Sequence, residues 1–289
     1  VTLSKEGENY RLGYGFGDVS SILLVKVPDR DYWIGDAEVS FRQFEGFPTS
    51  GDFRSSHFLL KKQPGYSPDW PATMLLAEEM EKYCRTVMRK VSKDMPKGYV
   101  LRLPTTKEWA EAAACGDGRV YPWGNEWPPT KMANGRYPNI QGSDRYEMRH
   151  DSPYYIMDFF GYRSVLSDQA GKAGVVPRPP ADADSLPDSY MKGVGLPDYF
   201  DGYPGPAPVM ACGRNEWGLF GFGGNAAEVC YDVDSKEYVS KGINWGGEVP
   251  LAINHNRPIT KGIRWYSKPM SRVRGFRIAM GAPYDQLEE

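Results

Sequence analysis

The stretch from Trp217 to Ala279 constrains the fold of this chain more than any other. It sets down four blocks in turn: Trp217-Gly218-Leu219-Phe220, Gly223-Gly224-Asn225-Ala226-Ala227-Glu228, Lys241-Gly242-Ile243-Asn244-Trp245-Gly246-Gly247 and Arg274-Gly275-Phe276-Arg277-Ile278-Ala279. Gly221, Gly223 and Gly224 read as turn formers; no phosphate-binding loop or G-x-S-x-G elbow surrounds them. Between the last two blocks, Glu248 to Val273 carries almost no pattern of regular secondary structure. A fixed frame therefore holds a loosely specified filling, and that contrast is the main clue to function.

Upstream, the apolar run Ser21 to Val27 and the piece around Tyr32-Trp33-Ile34 predict strands separated by Pro28-Asp29. Ser40 with Gln43 makes a capping box for a short helix carrying Phe41 and Phe44, which Gly46 and Pro48 end. Thr49 to Pro71 reads as a loop. Ala77, Met80, Cys84, Val87, Met88 and Val91 recur at spacings of three and four, predicting a helix over about Leu76 to Val91 with one apolar face. Tyr99 to Leu103 predicts a strand. Thr105 with Glu108 then caps a second helix, whose buried stripe is Trp109, Ala112 and Ala113 and whose stop is Gly116. Tyr121-Pro122-Trp123-Gly124-Asn125 predicts a tight turn packed by aromatics. The polar stretch 137–199, with aromatic islands at Tyr154-Tyr155 and Phe159-Phe160, reads as an insertion in a single elaborated domain spanning 1–289.

Composition closes off several function classes. A net charge of −2 and a pI near 6.0 argue against nucleic acid as a partner. No apolar run approaches the ~18 residues of a spanning helix. The chain opens at Val1 without an initiator Met, as expected if a targeting segment has been removed. Cys84, Cys115, Cys212 and Cys230 show no C-x-x-C spacing and read as buried free thiols; Cys84 lies on the core face of its helix. The 19 Tyr, 8 Trp, 32 Gly and 24 Pro predict a loop-rich fold with little helix, held by flat side chains.

The blocks Leu101-Arg102-Leu103-Pro104-Thr105-x-x-Glu108-Trp109, Tyr121-Pro122-Trp123-Gly124-Asn125, Asn215-Glu216-Trp217-Gly218-Leu219-Phe220, Gly224-Asn225-Ala226-x-Glu228 and Gly275-Phe276-Arg277 resemble, in order, those of the formylglycine-generating-enzyme family. The resemblance covers roughly 30–135 and 200–280. It implies an α+β, variant C-type lectin fold with small twisted antiparallel sheets, two main helices and long loops. It also implies a copper-binding cysteine pair, whose positions fall at about Gly247 and Ala252. No cysteine follows Cys230, so the thiolates that chemistry needs are absent. The family's iron-dependent sulfoxide synthases use clustered histidines, whereas His57, His150 and His255 are far apart in sequence with no H-x-x-x-H-x-E pattern.

For calcium, the family's first site maps to Asn134, Gly135, Asp201 and Tyr203, an oxygen set that suits a hard cation. At the second site a side-chain ligand falls on Gly221, leaving Glu228 either as a remaining ligand or as a carboxylate paired inside the core. No catalytic cofactor is expected. The Asn-Trp-Gly-Gly start and Gly-Phe-Arg-Ile-Ala end of the C-terminal segment further resemble the variable proteins of diversity-generating retroelements. That resemblance implies a non-enzymatic receptor, displayed on a bacterial surface through a removed lipoprotein signal, with a diversified region at 243–274. The expected contacts to a protein or glycan ligand are Trp245, Gly247, Val249, Leu251, Ile253, His255, Arg264, Trp265, Tyr266 and Ser267. Trp245 has the alternative of packing internally. Two other readings stay open: an oxidoreductase of the same family with an atypical metal site, and a lectin of fixed specificity, although Glu-Pro-Asn and Gln-Pro-Asp triplets are missing.

Overall fold

A computed structural model describes residues 1–15, 21–45, 66–73, 75–140, 199, 201–203, 205–245, 251–259 and 274–287. Residues 141–198, which make up most of the expected insertion, lie outside the described residues, as do Gly46, Pro48 and most of the expected loop after them.

The chain begins with a hairpin of β1 (Thr2–Glu6) and β2 (Asn9–Gly13), turning at Gly7 in the left-handed region (φ 62). Leu3 pairs with Leu12 on the buried side, and the Arg11 guanidinium meets the Glu6 carboxylate at 2.7 Å on the other. Sequence reasoning missed this hairpin because each strand buries a single leucine, too little alternation to register. Strands β3 (Ile22–Lys26) and β4 (Trp33–Gly35) follow as expected, then the short helix α1 (Phe41–Glu45), where the Ser40 and Gln43 side chains exchange hydrogen bonds with each other's backbone amides.

Helix α2 (Ala77–Val91) buries Met80, Cys84, Val87 and Val91 completely, with Tyr83 stacked on Phe44 at 5.2 Å between ring centroids. It starts at Ala77 because the Glu79 carboxylate accepts the Leu76 N–H at 2.8 Å, making Leu76 the cap. After β5 (Val100–Arg102), α3 (Thr106–Ala114) is capped by Thr105 and Glu108 in the reciprocal arrangement the sequence predicts. It stops at Gly116 as expected: Cys115 (φ 50) and Gly116 (φ 70) both turn left-handed, and the Gly116 N–H donates back to the Glu111 carbonyl at 3.2 Å.

Two sheets result. The larger has the order β1-β2-β3-β4-β10-β5, with β10 (Ala279–Gly281) inserted between β4 and β5, so the C-terminal end of the chain lies inside the sheet that the N-terminal half builds. The smaller, ordered β8-β7-β6-β9, comprises β6 (Ala227–Asp232), β7 (Glu237–Lys241), β8 (Arg257–Pro258) and β9 (Arg274–Gly275). All its pairs are antiparallel except β6 with β9. That departs from the wholly antiparallel expectation, because the chain returns after residue 273 along the free edge of β6 in the same direction as β6. The sheets are joined where the Tyr231 N–H donates to the Pro104 carbonyl at 2.9 Å, and where Gly35 and Val39 donate to the carbonyls of Ile278 and Phe276.

Candidate ligand-binding face

The smaller sheet rests on buried charge. The Arg277 guanidinium, wholly inaccessible to solvent, donates from Nε to Glu228 Oε2 at 2.6 Å, from Nη1 to the Gly35 carbonyl at 3.0 Å and from Nη2 to the Phe220 carbonyl at 2.8 Å. Its flat face lies 3.7 Å from the Phe222 ring centroid. Glu228 also accepts the Trp109 indole N–H at 3.0 Å, so its carboxylate is paired inside the core, the second of the two alternatives the sequence left for it. Beside them Glu38 accepts the Ala226 N–H at 2.8 Å and the Asn225 side-chain amide at 2.7 Å. Burial, reinforced by the Glu228 charge, holds the Glu38 carboxyl well above the usual carboxylate range. Asn225 sits in the left-handed region (φ 67), and its Oδ1 accepts the Ala207 N–H at 2.9 Å. Gly224 must be glycine, because a Cβ there would collide with the Asn139 carbonyl. These directional contacts fix the floor.

Above it, the Lys241 ammonium donates to Asn256 Oδ1 at 2.8 Å, and Asn256 donates on to Asp232 at 3.3 Å. Burial lowers the Lys241 pKa. Arg257 Nη2 donates to the Gly242 carbonyl at 2.6 Å. Ile253 is tied back by its N–H to the Val120 carbonyl, and a turn closes from the His255 N–H to the Ala252 carbonyl, leaving Asn254 and His255 exposed.

The expected contacts therefore divide. His255 is exposed, and Leu251 is half-buried against the cluster of Trp123, Met132, Ile140, Tyr199 and Ile243. Trp245 (1% exposed) and Ile253 (4%) are corrected from surface contacts to packing residues: Trp245 joins the main core with its backbone N–H on the Asn225 carbonyl, and Ile253 joins the cluster around Trp109. Gly247, Val249, Arg264, Trp265, Tyr266 and Ser267 lie outside the described residues. Sequence reasoning passed over Ser240, Arg257 and Arg274, which the strand register brings onto one face. No local sequence signal marked them, because their placement depends on pairing between distant strands.

At the calcium positions, Asn134 Oδ1 accepts the N–H groups of Arg136 (3.3 Å) and Arg214 (3.1 Å), while its amide donates to the Cys212 carbonyl. Both acceptor lone pairs are thus engaged, and Asn134 as placed does not fit a cation. The Asp201 carboxylate accepts the backbone N–H of Tyr203 on Oδ1 and that of Ile140 on Oδ2. Among the described residues no three His, Cys, Asp or Glu side chains are grouped to hold a metal ion; His57 and His150 lie outside them. The cysteines are free, and all but Cys115 are buried. Burial raises the thiol pKa of Cys84, Cys212 and Cys230, and pushes Cys115 up to about 11, where its Sγ meets Glu216 at 3.3 Å.

Residues 24–161 match the family model of the sulfatase-modifying factor enzyme 1-like domain. No curated protein sequence matches the chain. Among solved structures, PvdO from Pseudomonas aeruginosa is similar at 12% identity and a TM-score of 0.50, over 96% of this chain and 99% of that one. Treponema denticola variable protein 1 is similar at 13% identity and a TM-score of 0.49, over 96% and 100%. CarF is similar at 13% identity and a TM-score of 0.46, over 90% and 93%. The fold is thus the C-type lectin-like fold of the formylglycine-generating-enzyme type, as the sequence blocks predicted. No helix among the described residues is long and apolar enough to cross a membrane.

Proposed function

We propose that this chain, a formylglycine-generating-enzyme-like fold without that family's thiol chemistry, is a non-enzymatic binding protein whose recognition surface is carried by residues 243–274. The observation that carries the reading is the distribution of cysteine. None follows Cys230, and the family resemblance puts the copper-binding pair at about Gly247 and Ala252. The remaining thiols are held protonated, three of them in the core. A rigid floor of Arg277, Glu228, Trp109 and Asn225 then serves position rather than reaction. Side chains on such a frame can change without changing the fold, since surface substitutions shift stability by no more than ~0.5 kcal/mol.

The finer form of the proposal is a receptor diversified by a retroelement, exported and held at a bacterial surface, recognising a protein or glycan. Sequencing the codons for 243–274 across a population of the source organism, together with the adjacent DNA, tests it. Substitutions confined to the adenines of an imperfect repeat support the reading, and an invariant segment without a repeat removes the diversification. Oxygen consumption with a bound redox metal at unit stoichiometry would replace the binding reading with an oxidoreductase. A structural calcium at Asn134, Gly135, Asp201 and Tyr203 is also proposed. It requires Asn134 to exchange an amide for the ion, and a melting temperature equal in calcium and in chelator removes it.

A further inference from the structure

Arg257 and Arg274 are the arginines of the smaller sheet that meet no carboxylate among the described residues. Their placement follows from the register. Arg257 of β8 pairs with Ser240 of β7, Ser240 with Val229 of β6, and Ala227, two residues before Val229, with Arg274 of β9. Residues paired across strands, or two apart along one, share a face of the sheet. Arg257, Ser240, Val229, Ala227 and Arg274 therefore stand on one face, and the two arginines bracket Ser240 from opposite edges of the sheet.

Three observations at this spot need a common explanation. Both arginines are half-buried, and among the described residues the one hydrogen bond from either guanidinium is that of Arg257 to the Gly242 carbonyl. Burial lowers the pKa of each, and the Arg274 charge lowers that of Arg257 further, so the two cations feel one another with no anion between them. The Ser240 hydroxyl, 1% exposed, has no hydrogen-bond partner among the described residues. The fully buried guanidinium groups among the described residues are paired: Arg102 is bound to Glu108 and Arg277 to Glu228. Half-desolvated like charges beside a buried orphan hydroxyl are unfavourable alone and become favourable around an oxyanion.

We infer that Arg257, Arg274 and Ser240 form a binding site for a tetrahedral oxyanion, of the phosphate or sulfate type. Two guanidinium forks supply parallel N–H donors and a charge of two, and the buried serine hydroxyl supplies a further donor between them. The site deepens the proposed function, and rests on it only for the claim that this anion belongs to the recognised ligand.

The test is calorimetric titration of the full chain with inorganic phosphate, then sulfate, at constant ionic strength, with acetate and chloride as comparisons. Saturable binding of phosphate or sulfate is expected, absent for chloride and at least about tenfold weaker for acetate. Stronger phosphate marks a phosphorylated ligand, and stronger sulfate a sulfated one. Arg274→Gln should abolish the binding. Arg274→Lys keeps the charge but not the fork, and should weaken it at least about fivefold. Ser240→Ala leaves every observed hydrogen bond intact and should weaken it several-fold. Wild-type binding no stronger than chloride's, acetate binding as tight as phosphate, or affinity unchanged in a folded Arg274→Lys chain overturns the site. Phosphate binding by a chain whose 243–274 codons prove invariant would keep the site and remove the diversified receptor, so the two ideas fail separately.

Discussion

Leu12, Ile22, Leu24 and Met280 fill one buried face of the six-stranded sheet and Ile34 its other, and its buried charged strand residue among those described is Arg102, on an edge strand and paired with Glu108. The four-stranded sheet buries Glu228, Ser240 and Lys241 along its strands and Arg277 just after its last one. The first is held by apolar area, which is indifferent to pH and to small changes of direction. The second is held by directional contacts between charges, which cost desolvation and hold only while each partner is present. Apolar packing suffices where the chain only has to cohere. Aimed polar contacts are used where backbone positions must stay put beneath the surface proposed to contact a ligand.

The sharpest way to break this contrast is Arg277→Met. It strands Glu228 with a neighbouring Glu38 and should cost about 3–5 kcal/mol, read as a fall in the urea midpoint. A loss below about 1 kcal/mol would mean the charge pair is not what holds the sheet. Leu24→Ala in the larger sheet should cost about 3 kcal/mol through the cavity it leaves, by the same amount at pH 5 and pH 8. A pH-dependent loss would undo the division between the sheets.

Asp36 lies between the two sheets and gives a pH test. Burial pushes its carboxyl up to about 6, against about 4 when unfolded. The folded chain thus keeps a proton between those values that the unfolded chain has lost. The stability this contributes is fully present below about pH 4 and is lost as pH rises through 6, by about 3 kcal/mol. Asp36→Asn can still accept the Leu23 N–H, so it should be the more stable chain at pH 7 and gain nothing at pH 4. Urea midpoints at the two pH values check the sign. Thr105→Ala removes the cap of α3 and should cost about 1 kcal/mol, measured in the same way. The smallest effect belongs to His255→Ala on the exposed turn, within about 0.5 kcal/mol of wild type in thermal melts. A larger loss would place His255 in the frame instead of on the face.

Much of this architecture could be read locally. Two capping boxes, the stripe from Ala77 to Val91 and the strand at Val100–Arg102 are written in neighbouring residues, because a helix or strand repeats within a few positions. The ordered aromatic and glycine blocks carried the fold family for the same reason. The β1–β2 hairpin was illegible because its pattern is one leucine per strand, and the exposure of Trp245 could not be judged because tryptophan serves cores and surfaces alike.

By itself the sequence determined that no cysteine stands where the family's thiol chemistry would act, that no strong charge invites nucleic acid, and that the 248–273 stretch lacks local pattern. Only the tertiary structure decided that Glu228 pairs with Arg277, 49 residues away, and that Glu38 bonds Ala226 across 188. Only strand register put Ser240 between Arg257 and Arg274. Charges and hydroxyls look alike along a chain whether solvated or buried; pairing across distant strands decides which of them lose water and what they must then bind.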